Sequence, residues 1–417
     1  MVATAGLGVA GVLETTKQGD IEYISTEQFK DGSAVTIPPD NPQFAIESPT
    51  DANAFYNAVV RVNNGGPLIN RGISETEGIM VFHYHPITYF FYATLAVFGY
   101  VEFKFLLLIT SLVAVMAGTA LLLLAEREYV DTNVTINTIV ILAVATAGIG
   151  PVLSNLKTGQ TSPFLYFFVC LFWWGYRHRR LRISGFVLAI AAFFKPYAIA
   201  PIALGFNRER IQTPIWTGFT YLFGTLFAIA VFGMGEIDRY FTIIIAEVAE
   251  ESAQGASEIT SASNLSLLNW MGEVALYLRI FLFIPLAYLG VRYVIDRSPR
   301  YSLPLFSATL LSTFILLSDT TAVDMPLLLP SIILIGLHTY CESDNFWMVG
   351  VVFILLHVHP PVLEVLVGNG SRYIPLFSSN QHILQTLIPI LQPGIYSIFG
   401  LYYLTFTSTS IYSTGQK

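Results

Sequence analysis

The feature that most constrains this chain is a succession of apolar runs, eleven of them between residues 86 and 406. Most approach the roughly 20 residues that a helix needs to cross about 30 Å of hydrocarbon. Inside a bilayer no water satisfies the backbone N–H and C=O groups, so spans of this kind must bond internally, as helices do. Charged residues fit the same reading, at 12% of the chain against the roughly 25% of an ordinary soluble domain. Residues 1–14 add a short apolar piece, lacking the basic start of a signal peptide. The expectation is an all-α integral membrane protein, a polytopic bundle of nine to twelve membrane segments, some short or broken. No repeat period is visible.

Several function classes drop out. A net charge of -7 argues against nucleic acid as a partner. Cys170 and Cys341 both belong to apolar runs, which supports neither a disulfide framework nor a cysteine metal site. Six lysines stand against fifteen arginines and the polar loops are acidic, a balance seen in proteins from high-salt environments.

Basic clusters give sidedness. "YRHRRLR" (176–182), "NRER" (207–210) and "RYVIDRSPR" (292–300) should face the cytoplasm, because Lys and Arg in short loops set orientation. Residues 235–273, with one Arg and seven acids, read as an extracytoplasmic loop, and residues 15–79 as another. Residues 80–234 then form an N-terminal transmembrane module and residues 274–417 the C-terminal helices. One conflict remains within this scheme. If 176–182 and 207–210 share a side, the 22 residues "ISGFVLAIAAFFKPYAIAPIAL" start and end there, whereas two full crossings need about 40. Either this is a broken hairpin carrying Lys195 and Pro196 into the membrane, or one basic loop is external.

Among residues able to carry chemistry, Asp51 opens "DANAFYNAVVRVN", a short helix capped by Ser48 or Thr50 and stopped by Gly65-Gly66-Pro67. Phe55, Val59 and Val62 make one apolar stripe, expected to lie on the membrane surface with Asp51 at the boundary. A carboxylate at a helix start is also favourable through capping and the dipole alone. "VFHYHPITYFFYATL" brings His83, Tyr84 and His85 to an apolar run, where polar aromatics usually serve as interface anchors. "NLKTGQTSPFLYFF" sets Gln160 in a turn punctuated by Gly159 and Pro163. Lys195 sits within an apolar run; a buried ammonium needs an anionic partner, although snorkelling is the alternative. Asn264 lies in "NLS", one of three glycosylation sequons, with those at Asn133 and Asn369. Asp319 and Asp324 read as solvated turn residues. No metal site is expected, since His83 and His85 have no acidic or thiol partner at local ligand spacing. P-loop, GxSxG and HExxH motifs are absent from the sequence. An acid outside and a cation at membrane depth suit a substrate with two parts, a lipid-linked phosphate and a soluble acceptor.

The order "D-x3-FY-x-A…GGPLI", "F-x-Y-x-P", "L-x-T-GQ", "RHRR", "ISGFVLAIAAFFKP" and "N-x-SLL" resembles the GT87 glycosyltransferases, also described as DUF2029 or α-1,2-mannosyltransferase-like proteins, over about residues 48–275. The resemblance implies a GT-C-type helical bundle whose external loops bear short amphipathic helices. It implies transfer of a hexose, often mannose, with inversion from a polyprenyl or dolichyl phosphate to a glycan or glycolipid acceptor on the extracytoplasmic face of the cell membrane. No cofactor is implied. Asp51 matches the family's catalytic aspartate, and Lys195, Gln160, His83, His85, Tyr84, Tyr56 and Asn264 are the candidates for binding donor phosphate or substrate. Many relatives carry a tyrosine after "G-x-P-L", where this chain has Ile69. Rival readings are a lipid-linked oligosaccharide ligase or polymerase, and a non-catalytic transporter or flippase of polyprenyl-linked sugars.

Overall fold

The structure, a computed structural model, describes residues 51–69, 82, 84–127, 135–253, 273–296, 301–316, 322–342, 346–357 and 398–407. Helices account for nearly all of them, and there is no strand among the described residues. The chain is an all-α polytopic membrane protein. Its frame is a series in which α3 (Tyr100–Glu126) packs against α6 (Ser162–Arg177), α6 against α7 (Leu181–Phe194), and α7 against α8 (Gln212–Phe232). Before this frame come α1 (Asp51–Asn63) and α2 (Tyr89–Ala96); α4 (Ile136–Ala147) and α5 (Gly150–Thr158) lie between α3 and α6. After it come α9 (Met234–Ala253), α10 (Glu273–Asp296), α11 (Ser302–Leu316), α12 (Leu329–Glu342) and α13 (Phe346–His357).

Among the described residues, only α3 and α8 are long and apolar enough to cross a bilayer unaided. α4 and α5 qualify together, bent by 61°. The bend has a local cause, because the Pro151 ring in the first turn of α5 lacks an N–H and would clash with the carbonyl of residue 147 in a continuous helix. Several other apolar segments form helices of 10–17 residues. α8 turns Ile215, Phe219, Leu222, Phe223 and Leu226 outward, all more than half exposed, which is the composition of a surface for lipid tails.

The conflict over residues 183–205 resolves as a broken hairpin. α7 ends at Lys195, whose backbone is extended, and the chain continues as an unusually long 3-10 helix, Pro196–Gly205. Fourteen α-helical residues rise about 21 Å, and ten 3-10 residues about 20 Å, so the outward and return limbs match. Pro196 and Pro201 cannot donate the bonds of an α-helix, which favours the alternative winding. The limbs do finish side by side. A Cβ on Gly185 would lie 2.4 Å from the Thr213 carbonyl, and one on Gly205 the same distance from Pro214. Arg210 donates from Nη1 to the Tyr176 carbonyl at 2.6 Å and stacks over that ring, while the Tyr293 hydroxyl reaches the Leu204 carbonyl at 3.0 Å. The residues around 176–182, 204–213 and 293 therefore share one end of the bundle, termed here the basic end.

That end also holds a charge network the sequence did not suggest. Glu126, fully buried at the end of α3, accepts from Trp173 Nε1 at 2.7 Å and pairs with Arg177, Nε to Oε1 at 2.8 Å. His338 of α12 completes it, Nε2 to Oε2 at 2.9 Å. Three helices are tied together by one carboxylate.

Candidate active site

α1 departs from its expected place. Its apolar stripe does not lie on a membrane surface: every residue from Asp51 to Val60 is buried. The Phe55 ring stacks on Tyr92 at 3.9 Å between centroids and meets Phe82 and Tyr84 edge-on. On the other side, Asn53 accepts from the Tyr100 hydroxyl and Asn63 from the Tyr89 hydroxyl, the latter at 2.9 Å. Periodicity identified a sticky face correctly, but the face is taken by protein because α2 and the segment before it bring aromatic rings onto it. Tyr56, five positions on from Asp51, is turned about 140° around the helix. Its ring packs on Tyr100 and Phe103, so it belongs to the seat of α1 on α3. Burial first, and then Glu102, raise its phenol above the usual range, keeping it protonated.

The loop after α1 is pinned by two charges. Arg61 donates to the carbonyls of Pro67 and Leu68, both at 2.6 Å. Burial lowers its guanidinium to about 10, against the opposing pull of Glu236, so it remains a cation at neutral pH. Glu236 of α9 accepts from the Ile69 N–H at 3.0 Å and pairs with Arg239 at 2.7 Å. Ile69 is thus a buried anchor.

Gln160 comes to the same place as Asp51. α5 ends on Gly159 in the left-handed region, φ 74°, and a Cβ there would sit 2.7 Å from the Ala52 Cβ. Glycine is required on both counts, by the backbone angle and by the contact. The turn that carries Gln160 is thereby pressed against the first turn of α1. Asp51, 9% exposed, stands one helical turn before Phe55, the residue whose ring stacks on Tyr92.

Lys195 approaches the cluster through rings. Phe194, its neighbour in the chain, packs on Tyr92 at 6.3 Å, on Phe164 at 6.2 Å and on Phe168 at 5.9 Å. Lys195 itself is half-buried, with Nζ 5.6 Å from the Tyr197 ring centroid. It stands at the end of α7 remote from the basic clusters, which is the hairpin tip.

His85 is held on all sides by the protein. It is fully buried among Phe193, Tyr221 and Tyr240. Nδ1 accepts from the Ile87 N–H at 3.3 Å, and Nε2 lies 3.2 Å from the Thr225 hydroxyl oxygen, whose own proton goes to Tyr221 O. Nε2 is then the protonated nitrogen, and both ring atoms are engaged within the protein. With its N–H bonded to the Phe193 carbonyl at 3.2 Å, His85 locks the 84–88 segment to the hairpin tip. His83, Asn264 and Asp319, and the sequons at Asn133 and Asn369, lie outside the described residues, as does the side chain of Asp324. No group of three or more His, Cys, Asp or Glu able to hold a metal occurs among the described residues. Sequence reasoning missed Tyr92 and Glu236. Nothing local marks either one, since each acts on a segment far away in the chain.

The arrangement is that of a polytopic membrane protein with a carboxylate helix, a glutamine turn and a lysine tip gathered around one aromatic cluster, away from its basic end. The family model for glycosyltransferase family 87 (GT87) matches residues 82–319, more than half of the chain, and the chain belongs to that family. It is a membrane glycosyltransferase, acting on a sugar donor and an acceptor. The match extends further toward the C-terminus than the sequence resemblance did and begins after Asp51, whose place in the site rests on geometry. A search among curated proteins finds no match.

Proposed function

We propose that the enzyme transfers a mannose-like hexose, with inversion, from polyprenyl or dolichyl phosphate to a glycan or lipid-linked acceptor on the extracytoplasmic side of the cell membrane. What supports this reading is the meeting of the Asp51 helix, the Gln160 turn and the hairpin tip that bears Lys195 around the Tyr92 cluster. In the reaction, the acceptor hydroxyl oxygen bonds to the anomeric carbon as the bond from that carbon to the phosphate oxygen breaks. Asp51 takes the hydroxyl proton, and the bonding pair leaves with the phosphate. Lys195 and Gln160 meet the growing charge on the phosphate, with Tyr84 against Phe55, one turn along α1 from the carboxylate. His85 positions the segment and does not touch the donor. The sidedness follows from the positive-inside rule, which assigns the basic end to the cytoplasm and the Asp51 end to the opposite face.

The test is Asp51→Asn. General-base loss of this kind lowers rate by about 10²- to 10⁴-fold. Transfer from a radiolabelled polyprenyl-phosphate hexose should fall by that amount, with polyprenyl phosphate binding retained. Transfer at the wild-type rate would remove Asp51 from the role of base.

A further inference from the structure

The first turn of α6 holds two hydroxyls with no visible use. Thr161 and Ser162 are fully buried, and neither Oγ1 of Thr161 nor Oγ of Ser162 has a hydrogen-bond partner among the described residues. Thr161 occupies the N-cap position yet makes no capping bond with its side chain, which is the usual reason for a threonine there. Buried polar side-chain atoms are normally paired, so two adjacent exceptions point to a group that the described residues do not supply. The chemistry of the place selects an anion. Two hydroxyl donors stand at the positive dipole end of a 16-residue helix.

Location narrows the anion further. Thr161 follows Gln160 in the turn pressed against Ala52, and Phe164, in the first turn of α6, packs on Phe194, the neighbour of Lys195. An anion seated here has the Asp51 helix on one side and the lysine tip on the other. Exclusion of water strengthens each of these hydrogen bonds.

We infer that the α6 N-terminus, through the hydroxyls of Thr161 and Ser162, is the seat of a phosphate monoester, the phosphate of the polyprenyl phosphate donor. This rests on the reading of the function given above. The two hydroxyls are phosphate-binding residues, and Lys195 supplies charge from across the seat.

The experiment compares Thr161→Val and Ser162→Ala, singly and together, with wild type in detergent, measuring binding of polyprenyl phosphate, polyprenol and inorganic phosphate. In wild type, polyprenyl phosphate should bind at least tenfold more tightly than polyprenol. The double variant should lose most of that preference while polyprenol binding stays unchanged, and KM for donor should rise more than KM for acceptor. The conservative Thr161→Ser and Ser162→Thr variants, which keep a hydroxyl, should restore the preference and guard against a mere packing defect. If the double variant binds polyprenyl phosphate as wild type does, the seat is elsewhere and the function reading stands. If wild type shows no preference over polyprenol, the reading of the donor itself fails. Inorganic phosphate binding as tightly as the lipid would assign the seat to free phosphate instead.

Discussion

Asp51 owes its position to a glycine more than a hundred residues away. Gly159 lets the Gln160 turn rest on Ala52, and Gly159→Ala introduces both an unfavourable left-handed residue and an overlap with the Ala52 Cβ at 2.7 Å. Left-handed strain costs about 1–2 kcal/mol, and a displacement of the reacting groups by about 1 Å can cost on the order of 100-fold in rate. Transfer by this variant should therefore drop at least about tenfold, with a smaller change in unfolding temperature, measured side by side on one preparation. Phe55→Ala should act in the opposite proportion. It removes a fully buried ring stacked on Tyr92 and should destabilise by about 3–5 kcal/mol, visible in denaturant titration. At this scale the sequence made the actors legible and left their surroundings hidden. The helix of Asp51, the stop at Gly159 and the oddity of Lys195 can all be read from spacing and residue type. That Phe55 faces Tyr92 cannot, because a stripe states which face is sticky and says nothing about what covers it.

Among the elements, the hairpin of α7 and the 3-10 limb is the part most nearly deduced in advance. Two basic loops separated by 24 residues leave no room for two crossings, and Lys195-Pro196 marks the break. What charge counting could not supply is the return as a ten-residue 3-10 helix, which depends on Pro196, Pro201 and the neighbours that fix Leu204 and Gly205. At Gly185 α7 leaves no room for a side chain against the first turn of α8, so Gly185→Val should overpack that crossing and cost about 1–3 kcal/mol, read as a lowered unfolding midpoint. The Glu126 network was illegible for a different reason, its members being drawn from α3, α6 and α12. Truncating one partner of a buried ion pair leaves the other charge uncompensated, at about 3–5 kcal/mol. Glu126→Ala should show that loss, and the accompanying Arg177→Leu should recover much of it if the penalty is the stranded guanidinium.

For the whole molecule, the two ends of the bundle are chemically distinct. Arginines gather where α6, α7, α8 and α10 meet, while Asp51, Gln160 and Lys195 lie toward the other end. Single cysteines placed at Asn64 and at Glu209, both exposed, in a background without Cys170 and Cys341, should react with a membrane-impermeant thiol reagent from opposite sides. Asn64→Cys is expected to react from outside intact cells and Glu209→Cys only after lysis. Transfer as proposed requires the donor phosphate to meet the carboxylate and the lysine in one place, which a structure determined with polyprenyl phosphate bound would test. The phosphate should lie beside Lys195 and the start of α6, with Asp51 facing it. A phosphate held instead among the arginines of 177–182, or walled off from Asp51 by packed side chains, would contradict this arrangement.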